Sequence, residues 1–198
     1  MSVFTLFTKG GIIMYPLLFC SFLSLAIAIE RYLTYKDSKT SNEDMAKIIK
    51  VLQSEENNET KIDALGGISG DSAVIARFYL SLRGAKEDCI QSLETKVNIL
   101  LNSYEEKLNF LSIIVTLSPL LGLLGTIFGM ISAFSVFDLK EGQPFAITAG
   151  IGEALIATAF GLIVAIFTLI LYAALKYKIN QLKKSLEECC LQLLSVNK

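Results

Sequence analysis

The chain has 198 residues, 53% of them hydrophobic and only 19% charged, with a net charge of −1 and a mean hydropathy of +0.54. A soluble domain of this length carries more charge and no apolar stretch longer than a core helix. The composition therefore excludes an ordinary soluble fold and points to a chain that crosses a lipid bilayer.

Three stretches carry that reading: 10–29 and 108–137 without a charge, and 144–175 with Glu153 alone. About 20 helical residues span a hydrocarbon core of about 30 Å, so each is long enough to cross. Residues 1–11 form a short periplasmic lead-in, with Phe4, Leu6 and Phe7 suited to the interface. A first transmembrane helix follows over 12–35, with Pro16 near its start and Tyr32 and Tyr35 at headgroup level. Ala26-Ile27-Ala28 matches a signal-peptide cleavage pattern. The apolar run continues past it into Glu30-Arg31 and further basic residues, as a retained membrane helix does.

Residues 36–107 read as a helical cytoplasmic loop domain. Ser41 to Asp44 starts one helix, Asn57-Asn58 and Gly66 to Gly70 break the chain, and Asp71-Ser72 starts another. That second helix places Val74, Ile75, Phe78, Tyr79 and Leu82 on one face and closes near Gly84. From Ile90 through Leu93, Val97, Leu101, Tyr104 and Leu108 the apolar steps alternate between three and four. One helix from about Glu87 to Phe137 is the consequence, kinked at Pro119, with transmembrane helix 2 over 108–137. A periplasmic hairpin (138–146), transmembrane helix 3 (147–175) and a cytoplasmic amphipathic helix (176–198) complete the chain. Ile179, Leu182, Leu186 and Leu193 stripe that last helix. The fold class is an all-α polytopic membrane protein with three transmembrane helices, the second and third extending into a helical cytoplasmic domain.

Of 18 Lys and Arg residues, 16 lie in 30–107 and 176–198, which places those segments in the cytoplasm and the N-terminus on the outer side of the membrane. The four cysteines form no disulfide framework: Cys20 falls in a membrane run, and Cys89, Cys189 and Cys190 on the reducing side. Histidine is absent, which removes the usual proton shuttle and the commonest metal ligand. No cofactor, metal, enzyme activity or nucleic-acid partner is expected.

Glu153 is the residue that asks for chemistry. A carboxylate within the bilayer costs about 2.5–3.5 kcal/mol or more, so such residues face protein or water. Gly150, Gly152, Ala154, Ala157, Ala159, Gly161 and Ala165 surround it with small side chains, and Gly122, Gly125 and Gly129 answer from the second run. Small residues allow close helix approach. No Lys, Arg or His in any membrane run pairs with Glu153, and desolvation favours the neutral acid, ready to exchange a proton when water reaches it. The competing reading is a structural carboxylate held by a neighbouring threonine or backbone donor. Thr126 and Thr158 are further polar candidates, although Thr158 lies about 140° around the helix from Glu153. Ser112, Thr116 and Ser118 fit bonding within their own helix. A small transporter would need a polar cavity that these runs lack.

LSPLLGLLGTIFGM (117–130) and IGEALIATAFGL (151–162) resemble the two signature helices of the ExbB/TolQ/MotA proton-channel family. Glu30-Arg31-Tyr32 closing the first helix is similar too. Three membrane helices rather than four make the likeness closest to the ExbB/TolQ branch. It implies a pentamer around a dimer of an ExbD/TolR-like single-helix subunit in the bacterial inner membrane. Proton flow past Glu153, with Thr126 and Thr158 lining the path, would then drive work on the outer membrane through a TonB-like or TolA-like protein. Each charge crossing the membrane field is worth about 2.3 kcal/mol per 100 mV. The alternative is a non-conducting scaffold whose buried Glu fixes helix packing.

Overall fold

A computed structural model describes residues 10–38, 40–82, 86–139 and 144–196. Among them are six α-helices: α1 (Met14–Ser38), α2 (Asn42–Gln53), α3 (Asn58–Gly66), α4 (Asp71–Ser81), α5 (Lys86–Leu139) and α6 (Pro144–Val196). The helices α1, α5 and α6 are each long and apolar enough to cross a membrane. The aromatic lead-in residues Phe4, Leu6 and Phe7 and the helix stop at Gly84 lie outside the described residues.

The helices group into two compact units: Met1–Ile29 with Leu108–Ala173, and Glu30–Lys107 with Ala174–Lys198. In the second, the expected stripes are the buried ones. Leu93, Val97, Leu101 and Tyr104 are buried on α5, and Leu175, Ile179, Leu182, Leu186, Cys189 and Leu193 on α6. Steps of three and four keep each set on one helical face.

Two details of the 36–107 segment differ from the sequence reading. Between the two breaks, residues 58–66 form a helix that the sequence reading did not name. Its N-cap is Asn57, Glu59 lies in its first turn, and Leu65 anchors it at 0% exposure. On α4 the buried residues are Asp71, Ser72, Ala73, Ile75 and Ala76, whereas Val74, Phe78 and Tyr79 are only half-buried. Small side chains let α4 approach its neighbours closely, so size rather than hydrophobicity selects its face. Gly70 caps this helix at φ +104°, and a methyl built there would stand 2.5 Å from Thr40 Oγ1.

Burying Asp71 requires a partner. Tyr104 donates its hydroxyl to Asp71 Oδ2 at 2.8 Å, and Ser38 Oγ lies 2.6 Å from the same Tyr104 oxygen. Tyr35 donates to the Tyr104 carbonyl at 3.2 Å. Burial pushes the Asp71 carboxyl above its ordinary value, against the opposing effect of the Tyr104 hydrogen bond. The sign for stability follows from that shift. Below the unfolded value, about 3.9, folded and unfolded chains both hold the proton and the penalty is absent. As pH rises the unfolded chain ionises first, so stability falls until the pH has passed the folded value. Asp71→Asn keeps an acceptor for Tyr104 and is expected to flatten this fall, read as the thermal midpoint of the detergent-solubilised chain across pH 4 to 8.

Candidate functional site

In the first unit α5 and α6 run antiparallel with their backbones in contact, because the facing positions carry almost no side chain. A methyl added at Gly161 would stand 2.7 Å from the Ser118 carbonyl oxygen and 2.9 Å from Gly122 Cα. One added at Gly122 would meet Thr158 Cα at 3.1 Å, and one at Gly125 would meet Ala157 Cβ at 2.5 Å. At Gly129 it would meet Ala154 Cβ and the Gly150 carbonyl, both at 3.0 Å, and at Gly150 it would collide with Ala133. The seam therefore pairs Gly122, Gly125, Gly129 and Ala133 with Gly161, Ala157, Ala154 and Gly150. Among the described residues a methyl added at Gly152 would meet no neighbouring element within 4 Å, and Ala159 is exposed; both stand off the seam.

Polar groups inside the seam are satisfied by backbone. Ser118, 0% exposed, donates to Ile114 O at 2.7 Å, and Thr168, also 0% exposed, to Val164 O at 2.8 Å. Ser118 precedes Pro119, which cannot donate, yet α5 continues through it. Beside them Cys20, Ile114 and Val164 form an apolar cluster. Of the outer hydroxyls, Thr116 donates to Ile113 O at 2.9 Å.

The three candidate residues occupy different settings. Thr158 turns to the seam and donates to the Gly122 carbonyl of α5 at 3.2 Å and to Ala154 O at 3.3 Å. Thr126, half-buried, donates to Leu123 O at 2.6 Å within its own helix. It borders a shallow surface depression with Ile127, Met130, Ile131 and Phe134. Glu153 is half-buried and, among the described residues, takes part in no hydrogen bond or ion pair. Its carboxylate lies against Gly11, ahead of α1. No hydrogen bond joins any two of the three residues. Among the described residues no group of three His, Cys, Asp or Glu could hold a metal.

The sequence reading missed Gly11, whose only signal was its place in the Gly10-Gly11 pair. It also left open the face of Thr158, which is now the α5 side. Removing that hydroxyl removes the side-chain hydrogen bond from α6 to the Gly122 carbonyl. Thr158→Val is expected to cost about 0.5–1.5 kcal/mol of stability and Thr158→Ser much less, measured as thermal midpoints in detergent.

The matching family model, described as the MotA/TolQ/ExbB proton channel family, covers residues 71–188. An ExbB-like biopolymer transport protein of Synechocystis sp. is 32% identical over 177 residues, covering 85% of this chain and 68% of that protein. A second ExbB-like protein of the same organism is 33% identical, covering 81% and 79%. The Tol-Pal system protein TolQ of Haemophilus influenzae is 29% identical, covering 81% and 72%. The matched region holds the glycine seam, Thr126, Glu153 and Thr158 together. By its matched sequence and its three apolar helices, the chain belongs to the MotA/TolQ/ExbB proton channel family.

Proposed function

We propose that this protein is the proton-conducting subunit of an inner-membrane motor, with Glu153 as the group that takes up and releases the proton. The observation that carries this reading is a carboxylate, unpaired among the described residues, in a membrane helix whose neighbours are almost all apolar or small. A structural carboxylate would be held by a donor, and among the described residues none reaches Glu153. Membrane carboxylates without a cation partner mark ion pathways. Thr126 and Thr158 are the hydroxyls nearest in kind to such a path. Each now spends its proton on a backbone carbonyl and would have to release it to serve a moving proton.

Relatives named ExbB and TolQ support the remaining assignments. The chain assembles as a pentamer around a dimer of an ExbD/TolR-like subunit. It passes work to a TonB-like protein for nutrient import or to a TolA-like protein for envelope maintenance. Segments 30–107 and 176–198, rich in Lys and Arg, lie in the cytoplasm.

One observation favours the scaffold reading for a single residue: Thr158 bridges α5 and α6 within the seam. The two readings separate in cells. With Glu153→Gln in place of the wild type, assembly with the partner is expected to persist while partner-dependent work at the outer membrane is lost. Full activity of that variant would leave only the scaffold.

A further inference from the structure

The turn leading into α1 is built around the Glu153 carboxylate. Gly11 has φ +70°, a conformation that residues with a Cβ rarely adopt. A methyl built on it would collide with Glu153 Oε1 and stand 3.2 Å from Cδ and 3.6 Å from Cγ. The carboxylate therefore lies directly across the Gly11 Cα. Gly10 is buried, and a methyl on it would lie 3.3 Å from Ile156 Cγ2, one helical turn beyond Glu153 on the same face of α6.

The turn is held from both sides. The Met14 amide donates to the Gly11 carbonyl at 3.2 Å, and Leu17 to Ile13 at 3.3 Å. Ile13, Met14 and Leu17 are 8%, 1% and 1% exposed, and Ile13 Cγ2 lies 3.6 Å from where a Gly125 Cβ would sit. Among the described residues no donor holds Glu153, and packing against this turn sets where its carboxylate rests.

We propose that Gly11 is a positioning residue for Glu153: its Cβ-free turn covers one side of the carboxyl group and limits what can reach it. The inference rests on the reading of Glu153 as the proton-binding group and adds an element outside the two signature helices. A substitution at Gly11 would uncover the carboxyl group even though the seam of α5 and α6 stays closed.

The test is the rate at which dicyclohexylcarbodiimide labels Glu153 in the full chain in liposomes, read by mass spectrometry. Gly11→Ala and Gly11→Asn both add the colliding Cβ. Asparagine tolerates positive φ, so the second variant separates the collision from backbone strain. Both are expected to raise the rate about fivefold or more. In a Glu153→Asp background the carboxyl retracts by one methylene, and Gly11→Ala is expected to change the rate by less than about twofold. A wild-type or slower rate in Gly11→Asn overturns the proposal, as does an equal effect of Gly11→Ala in both backgrounds. Labelling does not depend on conduction. Full proton flux in Glu153→Gln would therefore sink the channel reading while leaving the labelling result to stand or fall separately.

Discussion

Gly161→Leu is expected to keep α5 and α6 from pairing and to destabilise the chain by about 3 kcal/mol or more. The reason is the nature of what it would strike. The nearest atoms to a side chain at Gly161 are the Ser118 carbonyl oxygen at 2.7 Å and Gly122 Cα at 2.9 Å. Neither is the movable end of a long side chain. The helices would have to separate along the seam, which also breaks the hydrogen bond from Thr158 to Gly122. Gly152→Ala is the matched control, since among the described residues the added methyl would meet no neighbouring element within 4 Å. There the only effect is the better helix propensity of alanine, up to about 1 kcal/mol of added stability. Thermal unfolding of both variants in detergent checks the pair, and a Gly161→Leu protein as stable as the wild type would mean the two helices do not touch there.

Glu153→Gln is expected to leave stability within about 1 kcal/mol of the wild type, because among the described residues no hydrogen bond is lost with the charge. Its effect on proton flux is expected to be of a different size. An amide keeps the volume of the carboxyl group but does not take up or release a proton at ordinary pH. Removing a positioned proton-transfer group costs about 10²–10⁴-fold, so flux through the variant is expected to fall to background. Glu153→Asp retains the chemistry with the carboxyl withdrawn by one methylene, and an intermediate flux is expected from it.

Much of this arrangement was legible in the residues, and the reasons it was or was not are physical. The steps of three and four from Leu93 to Tyr104 and from Ile179 to Leu193 fixed both buried stripes, because helical periodicity and burial are the same fact seen twice. The glycines of α5 announced a close seam. They did not say which small residues of α6 face it, because Gly152 and Ala159 look like Gly150 and Ala157 until the register is known. The burial of Asp71 was not legible either. A carboxyl at a helix start reads as a solvated first-turn residue, and its partner Tyr104 is 33 positions away. The same holds for Gly11, whose role depends on a contact with a residue more than a hundred positions along the chain. Long-range partners of polar groups are what composition and periodicity leave open.

With Glu153 as the proton-binding group, each cycle moves a proton on and off its carboxylate. The most direct measurement reconstitutes the chain with a co-expressed ExbD/TolR-type partner in liposomes holding a pH-sensitive dye. A potassium-diffusion potential, negative inside and set up by outward potassium diffusion, is then imposed and acidification of the lumen recorded. A proton-binding Glu153 predicts acidification in the wild type, less with Glu153→Asp, and only the rate of empty liposomes with Glu153→Gln. Acidification in Glu153→Gln as fast as in the wild type would contradict it.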